Sequence, residues 1–365
     1  MNLTTGIVGL PNAGKTTLFN ALTSASAEAS SYPFCTIDPN VGVVEVPDGR
    51  LRILDELLNP ASCTPTSIRF TDIAGLVRGA SKGEGRGNQF LADVRDTDAL
   101  VHVVRCFEDP TVSHVEEVLN PVRDVDTIES ELMLADLQSV EEAMPHLERV
   151  VATDPRSPRR SELEALRKIV SGLLEGVSVH ASGEVTPGDL RAVRSYNLLS
   201  AKPVLYVANI GETPDQEDPG LDQLRGRVGE DRVLPVCAQL EAEVAQLEEG
   251  EEKGELLAEL GLESSGIDRL VRAAYRLLRL IAFYTVANEK LQAWPLPSGS
   301  TASAAAGRIH SDMEEGFIRA EVTTVEDLAA AGGELQRLRQ QGKLRTEGRD
   351  YVVRDGDVVQ FLFRG

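Results

Sequence analysis

Cysteine is scarce. The chain of 365 residues holds 4, at Cys35, Cys63, Cys106 and Cys237. They lie far apart and form no CxxC pair, so neither a zinc ribbon nor a secreted disulfide frame is indicated. A reduced, cytoplasmic setting is the simplest reading. Long apolar runs are also missing. The longest candidate, near Leu277–Ala287, falls short of the roughly 18 residues of a membrane span and contains Arg279. No basic leader precedes the first apolar stretch, so a signal peptide is not expected. Positive charge is in deficit, with 37 Lys+Arg against 58 Asp+Glu, a net charge of −21. That balance excludes a protein that coats nucleic acid by charge alone, and leaves room only for local basic faces. What is present is ordinary globular composition, 42% hydrophobic and 26% charged. At about 150 residues per domain the length suggests two or three domains, large enough to bury cores without clips.

The fold class reads as α/β. Thr4–Gly9 is a short apolar run ending at glycine, and Lys15–Leu22 has helical spacing, with Leu18 and Leu22 on one face. Further strands are predicted at Val41–Val46, Ser67–Asp72, Ala99–Val104, Val204–Asn209 and Val233–Cys237. The last three are unbroken apolar runs, as strands buried on both faces require, and their alternation with helices predicts a mostly parallel sheet. After about residue 127 the alternation stops. Leu137, Val140, Met144, Leu147 and Val151 form a heptad-like seam; Asp154-Pro155-Arg156-Ser157-Pro158 ends it; Leu163, Leu166, Ile169 and Leu173 begin a second helix. This predicts an antiparallel helical hairpin, a short coiled coil inserted over residues 128–199. The nucleotide-binding domain is then 1–127 and 200–282, with a helix over Gly266–Ile281. Residues 283–365 form a small α+β domain, with strands at Gly316–Val322, Tyr351–Arg354 and Val358–Phe363, a helical stretch near Val325–Gln341, and a turn at Asp355-Gly356.

Chemistry concentrates near the N-terminus. Gly9-Leu10-Pro11-Asn12-Ala13-Gly14-Lys15-Thr16 matches G-x-x-x-x-G-K-[ST], the P-loop, and sits between a strand and a helix as the mechanism demands. The backbone of Asn12, Ala13, Gly14, Lys15, Thr16 and Thr17 can cradle phosphates, helped by the positive end of the helix. Lys15 can reach the β- and γ-phosphates, and the Thr16 hydroxyl can ligate Mg²⁺. Asp72-Ile73-Ala74-Gly75 ends a strand. There Asp72 can hold the metal through water, and Gly75 can offer its N–H to a γ-phosphate. Between the two motifs, Thr36 can close over the metal and γ-phosphate. Gly79, Gly83, Gly85 and Gly87 follow DxxG, which suits a switch segment ordered by the γ-phosphate.

Taken together, the P-loop, Asp72-Ile73-Ala74-Gly75-Leu76-Val77 and the Gly79–Leu91 stretch resemble the Obg-related P-loop GTPases. Asn209-Ile210-Gly211-Glu212 stands where GTPases carry Asn-Lys-x-Asp. Gly307–Asp312 and Gly316–Val322 resemble a TGS domain, which is of the β-grasp type. Nearly the whole chain resembles the YchF subfamily, the Obg-like ATPases. In GTPases the Asp of Asn-Lys-x-Asp accepts from guanine N1–H and its exocyclic amine. Here Ile210 is uncharged and Glu212 is one methylene longer, so the guanine fork is displaced. Adenine's N6 amine and N1 can instead be met by Asn209 or backbone near Ile210. The resemblance implies ATP preference, and through the TGS-like part it implies association with RNA or the ribosome, as the large subunit or the whole particle. Leu76 stands where many GTPases orient the attacking water with glutamine. Turnover is therefore expected to be slow, or His114 supplies the role, as its equivalent in the resembling family has been considered to do. Asn12 can coordinate K⁺, as in some related GTPases.

Two local basic spots stand out on the acidic chain: Arg156, Arg159 and Arg160 at the hairpin tip, and Arg337, Arg339, Lys343, Arg345 and Arg349 near the C-terminus. The expectation is a cytoplasmic, monomeric ATPase switch with Mg²⁺, no membrane partner, and a ribosomal or RNA partner. The rival is a docking module in which nucleotide is structural or regulatory. A metabolic P-loop kinase is disfavoured, since no acceptor site or Arg-rich lid can be identified.

Overall fold

The structure is a computed structural model and describes residues 3–24, 40–75, 86–108, 118–154, 156–211, 218–247, 250–259, 262 and 264–364. In chain order the elements are β1 (Thr4–Val8), α1 (Lys15–Ser24), β2 (Val41–Glu45), α2 (Gly49–Leu58), β3 (Ser62–Thr64), β4 (Ser67–Asp72), α3 (Arg86–Arg95), β5 (Ala99–Arg105), α4 (Pro121–Thr153), α5 (Arg160–Leu174), α6 (Pro187–Ala192), β6 (Val204–Asn209), α7 (Pro219–Val228), β7 (Val233–Val236), α8 (Ala238–Val244) and α9 (Glu251–Glu259). There follow α10 (Gly266–Leu277), β8 (Leu280–Ala287), β9 (Lys290–Pro297), α11 (Ala302–Ile309), α12 (Ser311–Glu315), β10 (Phe317–Thr324), α13 (Val325–Ala330), α14 (Leu335–Gln340), β11 (Arg345–Glu347) and β12 (Asp357–Phe363). Among the described residues no helix is long and apolar enough to cross a membrane.

The chain divides into two compact units. The first comprises Met1–Gly42 and Arg69–Ile267. Its sheet has the order β2-β4-β1-β5-β6-β7. The pairs β1–β4, β1–β5, β5–β6 and β6–β7 are all parallel. Every residue of β5 is buried, which explains its unbroken apolar run. The helix α4 begins at Pro121, with Asn120 as its cap accepting from the Arg123 amide, so it starts ahead of the expected insertion boundary at 128. Its first turns bury Val125 beside Val104 and Tyr206, and Ile128 beside Val8 and Leu100. The long helix is thus rooted on the sheet before it enters the hairpin. Farther along, Val140 and Leu147 of α4 share a core with Leu163, Leu166, Ile169 and Leu173 of α5. Arg167 pairs with Glu148 at 3.0 Å, which fixes an antiparallel register.

The second unit is Val43–Ile68 with Asp268–Gly365. The sequence alone places 43–68 in the nucleotide-binding domain and draws the last boundary at 282; both differ from this division. The reason is packing. Leu51 and Leu54 of α2 are buried with Ala282, Tyr284, Leu291, Leu328 and Leu338. The strand β3 completes a mixed sheet, β11-β10-β12-β8-β9-β3, by pairing parallel to β9. Three local expectations also change. The helix over Gly266–Ile281 stops at Leu277, because Arg279 turns with φ 52° and Leu280 begins the antiparallel hairpin β8–β9. The helical stretch near Val325–Gln341 is two helices, broken at Gly332 and Gly333 with φ 68° and 82°. Tyr351–Arg354 makes only an isolated bridge, Val352 to Thr301, in place of a strand.

Candidate functional site

The loop from Gly9 to Gly14 leaves β1 at the centre of the parallel sheet and enters α1 directly. Asn12 takes the left-handed conformation with φ 62°, which asparagine tolerates better than most residues. Gly14 has φ 99°, and a side chain there would collide with the amide of Asn209. The first amides of α1 therefore face out of the loop as a candidate anion site, with the helix dipole behind them. Lys15 is buried at 7% exposure, and its Nζ donates to the Leu10 carbonyl at 2.8 Å. Burial lowers its pKa, while the charge of Asp72 works the other way.

DxxG meets this loop. The Thr16 hydroxyl donates to Asp72 Oδ2 at 3.1 Å. Asp72 Oδ1 is buried and accepts no hydrogen bond. Burial raises the Asp72 pKa, against the Thr16 hydrogen bond and the Lys15 charge. A carboxylate with one oxygen on a hydroxyl and the other lacking a donor suits a hard cation beside Thr16. Gly75 closes the arrangement. A Cβ added there would lie 3.0 Å from Lys15 Nζ and 3.3 Å from the Pro11 nitrogen, so only glycine fits so near the loop without displacement.

Asn209, at the end of β6, braces the site from the other side. Its Nδ2 donates to the Ala13 carbonyl and its Oδ1 accepts from the Ala238 amide, both at 3.0 Å. Each end of this buried amide makes one bond, so its side chain ties two loops together and keeps a second N–H on Nδ2. The Ile210 amide donates to the Val236 carbonyl at 3.1 Å. Sequence reasoning missed the Cys237–Ala238 turn, which Asn209 reaches. Its only signal was the position of that turn just beyond a short apolar strand.

Also missed was His102 on β5. It is buried, its Nε2 lacks a hydrogen-bond partner, and its ring packs on Tyr206 at 5.6 Å between centroids. Burial, and secondarily the Lys15 charge, push its pKa down to about 3. Thr36, Leu76, Gly79, Gly83, Gly85, His114 and Glu212 lie outside the described residues. Among the described residues no group of three or more His, Cys, Asp or Glu side chains is arranged to hold a metal.

The basic spots are less free than their sequence suggests. Arg159 pairs with Glu162, Arg160 with Glu164, Arg339 with Glu321, Lys343 with Asp327, and Arg345 with Glu347 and Asp357. Arg349 donates to the Glu314 carbonyl. A pair exposed on both sides, such as Arg160 with Glu164, can exchange partners at little cost.

Comparison with known proteins agrees with this geometry. The family model YchF-GTPase_C, described as a protein of unknown function (DUF933), matches residues 280–364. A model described as 50S ribosome-binding GTPase matches residues 4–137. The chain is 47% identical over 365 residues to a Haemophilus ducreyi protein named ribosome-binding ATPase YchF, covering 100% of this chain and 99% of the relative. A Bacillus subtilis protein of the same name is 47% identical over 369 residues, covering 100% of both. The solved structure of the Schizosaccharomyces pombe YchF GTPase superposes with a TM-score of 0.88 at 33% identity, covering 99% of this chain and 98% of that one.

Proposed function

The chain belongs to the YchF family, and on that premise we propose that it is a nucleotide-dependent switch that binds ATP in preference to GTP, slowly hydrolyses it to ADP and phosphate, and associates with the ribosome. The observation that carries the reading is the convergence of Lys15, Thr16, Asp72 and Gly75 at one helix N-terminus. The amides of residues 12–17 hold the phosphates, Lys15 leaves the Leu10 carbonyl for the β- and γ-oxygens, and Gly75 offers its N–H to the γ-phosphate. Thr16, Thr36 and, through water, Asp72 would hold Mg²⁺, whose charge offsets that of the phosphates. Asn12 is the residue that would take K⁺. Asn209 fixes the Ala13 and Ala238 loops against each other, and its remaining amide N–H is available to the base. Without a lysine at Ile210, no charged stem is available for guanine, and backbone beside Ile210 meets the base edge. Leu76 cannot orient water, which makes turnover slow unless His114 does so.

The TGS-like C-terminal part and the basic hairpin tip are the surfaces that meet RNA, on the large subunit or the whole ribosome. The protein acts as a monomer in the cytoplasm with no membrane partner. The test is calorimetry with non-hydrolysable ATP and GTP analogues in Mg²⁺ and K⁺, paired with phosphate release with and without ribosomes. Tighter ATP binding and ribosome-stimulated release are expected. Equal or better GTP affinity removes the base preference. Binding with no hydrolysis under either condition supports the second reading, favoured by Leu76, of a docking module gated by nucleotide.

A further inference from the structure

At the root of the helical hairpin, away from the P-loop, lies a cavity of about 240 Å³. Its polar lining comes from Glu129 of α4, Ser178 and His180 of the turn after α5, Tyr206 of β6, Arg227 of α7, and Arg232 of the 3₁₀ turn before β7. The acceptors among these groups are already engaged. Glu129 Oε1 accepts from the Tyr206 hydroxyl at 2.5 Å, and Oε2 accepts from Arg227 at 3.1 Å. Arg227 also pairs with Asp126 at 2.8 Å. The Tyr206 hydroxyl and Arg227 are engaged as donors in these bonds; three further donors are not, those of Ser178, His180 and the exposed Arg232. Among the described residues Arg232 makes no ion pair, and the side chains of Ser178 and His180 make no hydrogen bond. The rest of the wall is apolar, with Leu132, Leu199 and Val204.

From this imbalance we propose that the cavity is a second ligand site, which takes a small phosphate monoester. A guanidinium, a hydroxyl and an imidazole line one space, the last two from one turn and the first from another segment. An oxyanion with several equivalent acceptor oxygens satisfies such a set, and guanidinium is well matched to phosphate. The apolar wall accepts a short carbon chain. A cavity of this size lies below the roughly 300–1,000 Å³ of drug-sized sites, which limits the ester to a few carbons. The site does not depend on the nucleotide reading, since it uses no P-loop or DxxG residue. Because its walls are α4, the turn after α5 and the sheet, an occupant would fix the root of the hairpin against the sheet.

His180 reports on the site directly. Burial lowers its pKa, as does the charge of Arg232, while Glu129 acts in the opposite direction. The charged groups facing it from the surrounding elements are therefore Glu129, Arg227 and Arg232. An anion seated beside the ring favours its protonated form. The experiment follows the His180 ring by NMR in the full chain during titration with inorganic phosphate and with glycerol phosphate. A rise of about one unit in the His180 pKa is expected at saturation, lost in Arg232→Gln. Phosphate bound only at the P-loop would leave the ring unmoved, so failure here is distinguishable from failure of the nucleotide reading. No movement of His180 up to about 20 mM, well above a millimolar dissociation constant, would overturn the site. So would a shift that persists unchanged in Arg232→Gln. Glycerol phosphate binding no tighter than inorganic phosphate would overturn the ester.

Discussion

Asp72 carries a conflict between stability and binding. Its Oδ1 is buried without a donor, and burial raises its pKa. A carboxyl whose folded pKa lies above the unfolded one is most favourable when protonated, and that contribution is lost as pH rises through the folded value. At neutral pH its ionised form is therefore a mild liability for the ligand-free chain. Asp72→Asn is expected to leave ligand-free stability unchanged or raise it by up to about 1 kcal/mol, discounted because the group is only half-buried. The same change should weaken Mg²⁺-dependent nucleotide affinity about 10–100-fold. Urea unfolding and nucleotide titration with and without Mg²⁺ check both halves; undiminished Mg²⁺ dependence would remove Asp72 from the metal site. His102 gives a second prediction with the opposite sign. Its folded pKa is about 3, so below the unfolded value the denatured chain takes up a proton that the native chain refuses. Stability is full above about pH 6.5 and falls toward pH 3, by about 2 kcal/mol between pH 7 and pH 5 from this residue alone. His102→Leu should remove that share, and equal acid sensitivity of the two proteins would refute it. Lys15, Thr16, Asp72 and Gly75 were legible because their spacing encodes their chemistry. His102 was not, because a lone histidine inside an apolar run gives no sign of whether it is satisfied. The bracing role of Asn209 depends on Ala13 and Ala238, which no local pattern links to it.

Helix α3, directly after the glycine-rich segment, is tied to the root of the hairpin. Phe90, Leu91 and Val94 share a core with Ile73, Ile128, Leu132 and Ala135. Arg95 Nη2 reaches Ser139 Oγ at 3.4 Å. At the C-terminal end, the Arg95 carbonyl accepts from Asn197 Nδ2 and Lys202 Nζ, both at 3.1 Å, and Lys202 also donates to the Thr97 carbonyl. A buried cation at a helix C-terminus both satisfies open carbonyls and opposes the negative end of the dipole. Lys202→Met keeps the length and removes the donor. It should cost about 1–3 kcal/mol and speed amide exchange along α3 more than along β5. Uniform exchange, or no loss of stability, would show that the cap is dispensable. Elements of this unit were legible where burial is two-sided. β6 appears with its predicted ends because its apolar run stops at Asn209; β4 does so too, with only Ile68 and Phe70 alternating into the core before Asp72. The hairpin β8–β9 was hidden because its apolar start continues the helical pattern of α10. Only Arg279, with φ 52°, breaks that pattern, and an arginine gives no turn signal.

For the whole molecule, the consequential feature is that the second unit is discontinuous in sequence. Its core needs Leu51 and Leu54 from α2, and its sheet needs β3. Arg50 ties this segment in further. It bonds Asp48 at 3.0 Å and Asp355 at 2.8 Å, and the Tyr284 hydroxyl donates to Asp48. Burial acts to raise the Asp48 pKa, but these hydrogen bonds outweigh it and leave the pKa lowered. No local pattern announces this arrangement, because the contact joins residues more than 200 positions apart (|i−j| = 236 for Tyr284 and Asp48). A cut at the apparent boundary should therefore fail. The fragment 268–365 lacks the partners of Ala282, Tyr284, Leu291 and Leu338, so it exposes an apolar face and loses several buried leucine contacts at about 2–5 kcal/mol each. It is expected to be molten or aggregated, with a weak near-ultraviolet dichroism signal and poor NMR dispersion. Joining residues 43–68 to it through a flexible linker should restore a cooperative transition. In that joined fragment Arg50→Ala should lower the midpoint, since it leaves the half-buried Asp48 without its cation. A fragment 268–365 that unfolds cooperatively by itself would show that α2 and β3 only decorate the unit, and that the discontinuity is a matter of contact without dependence.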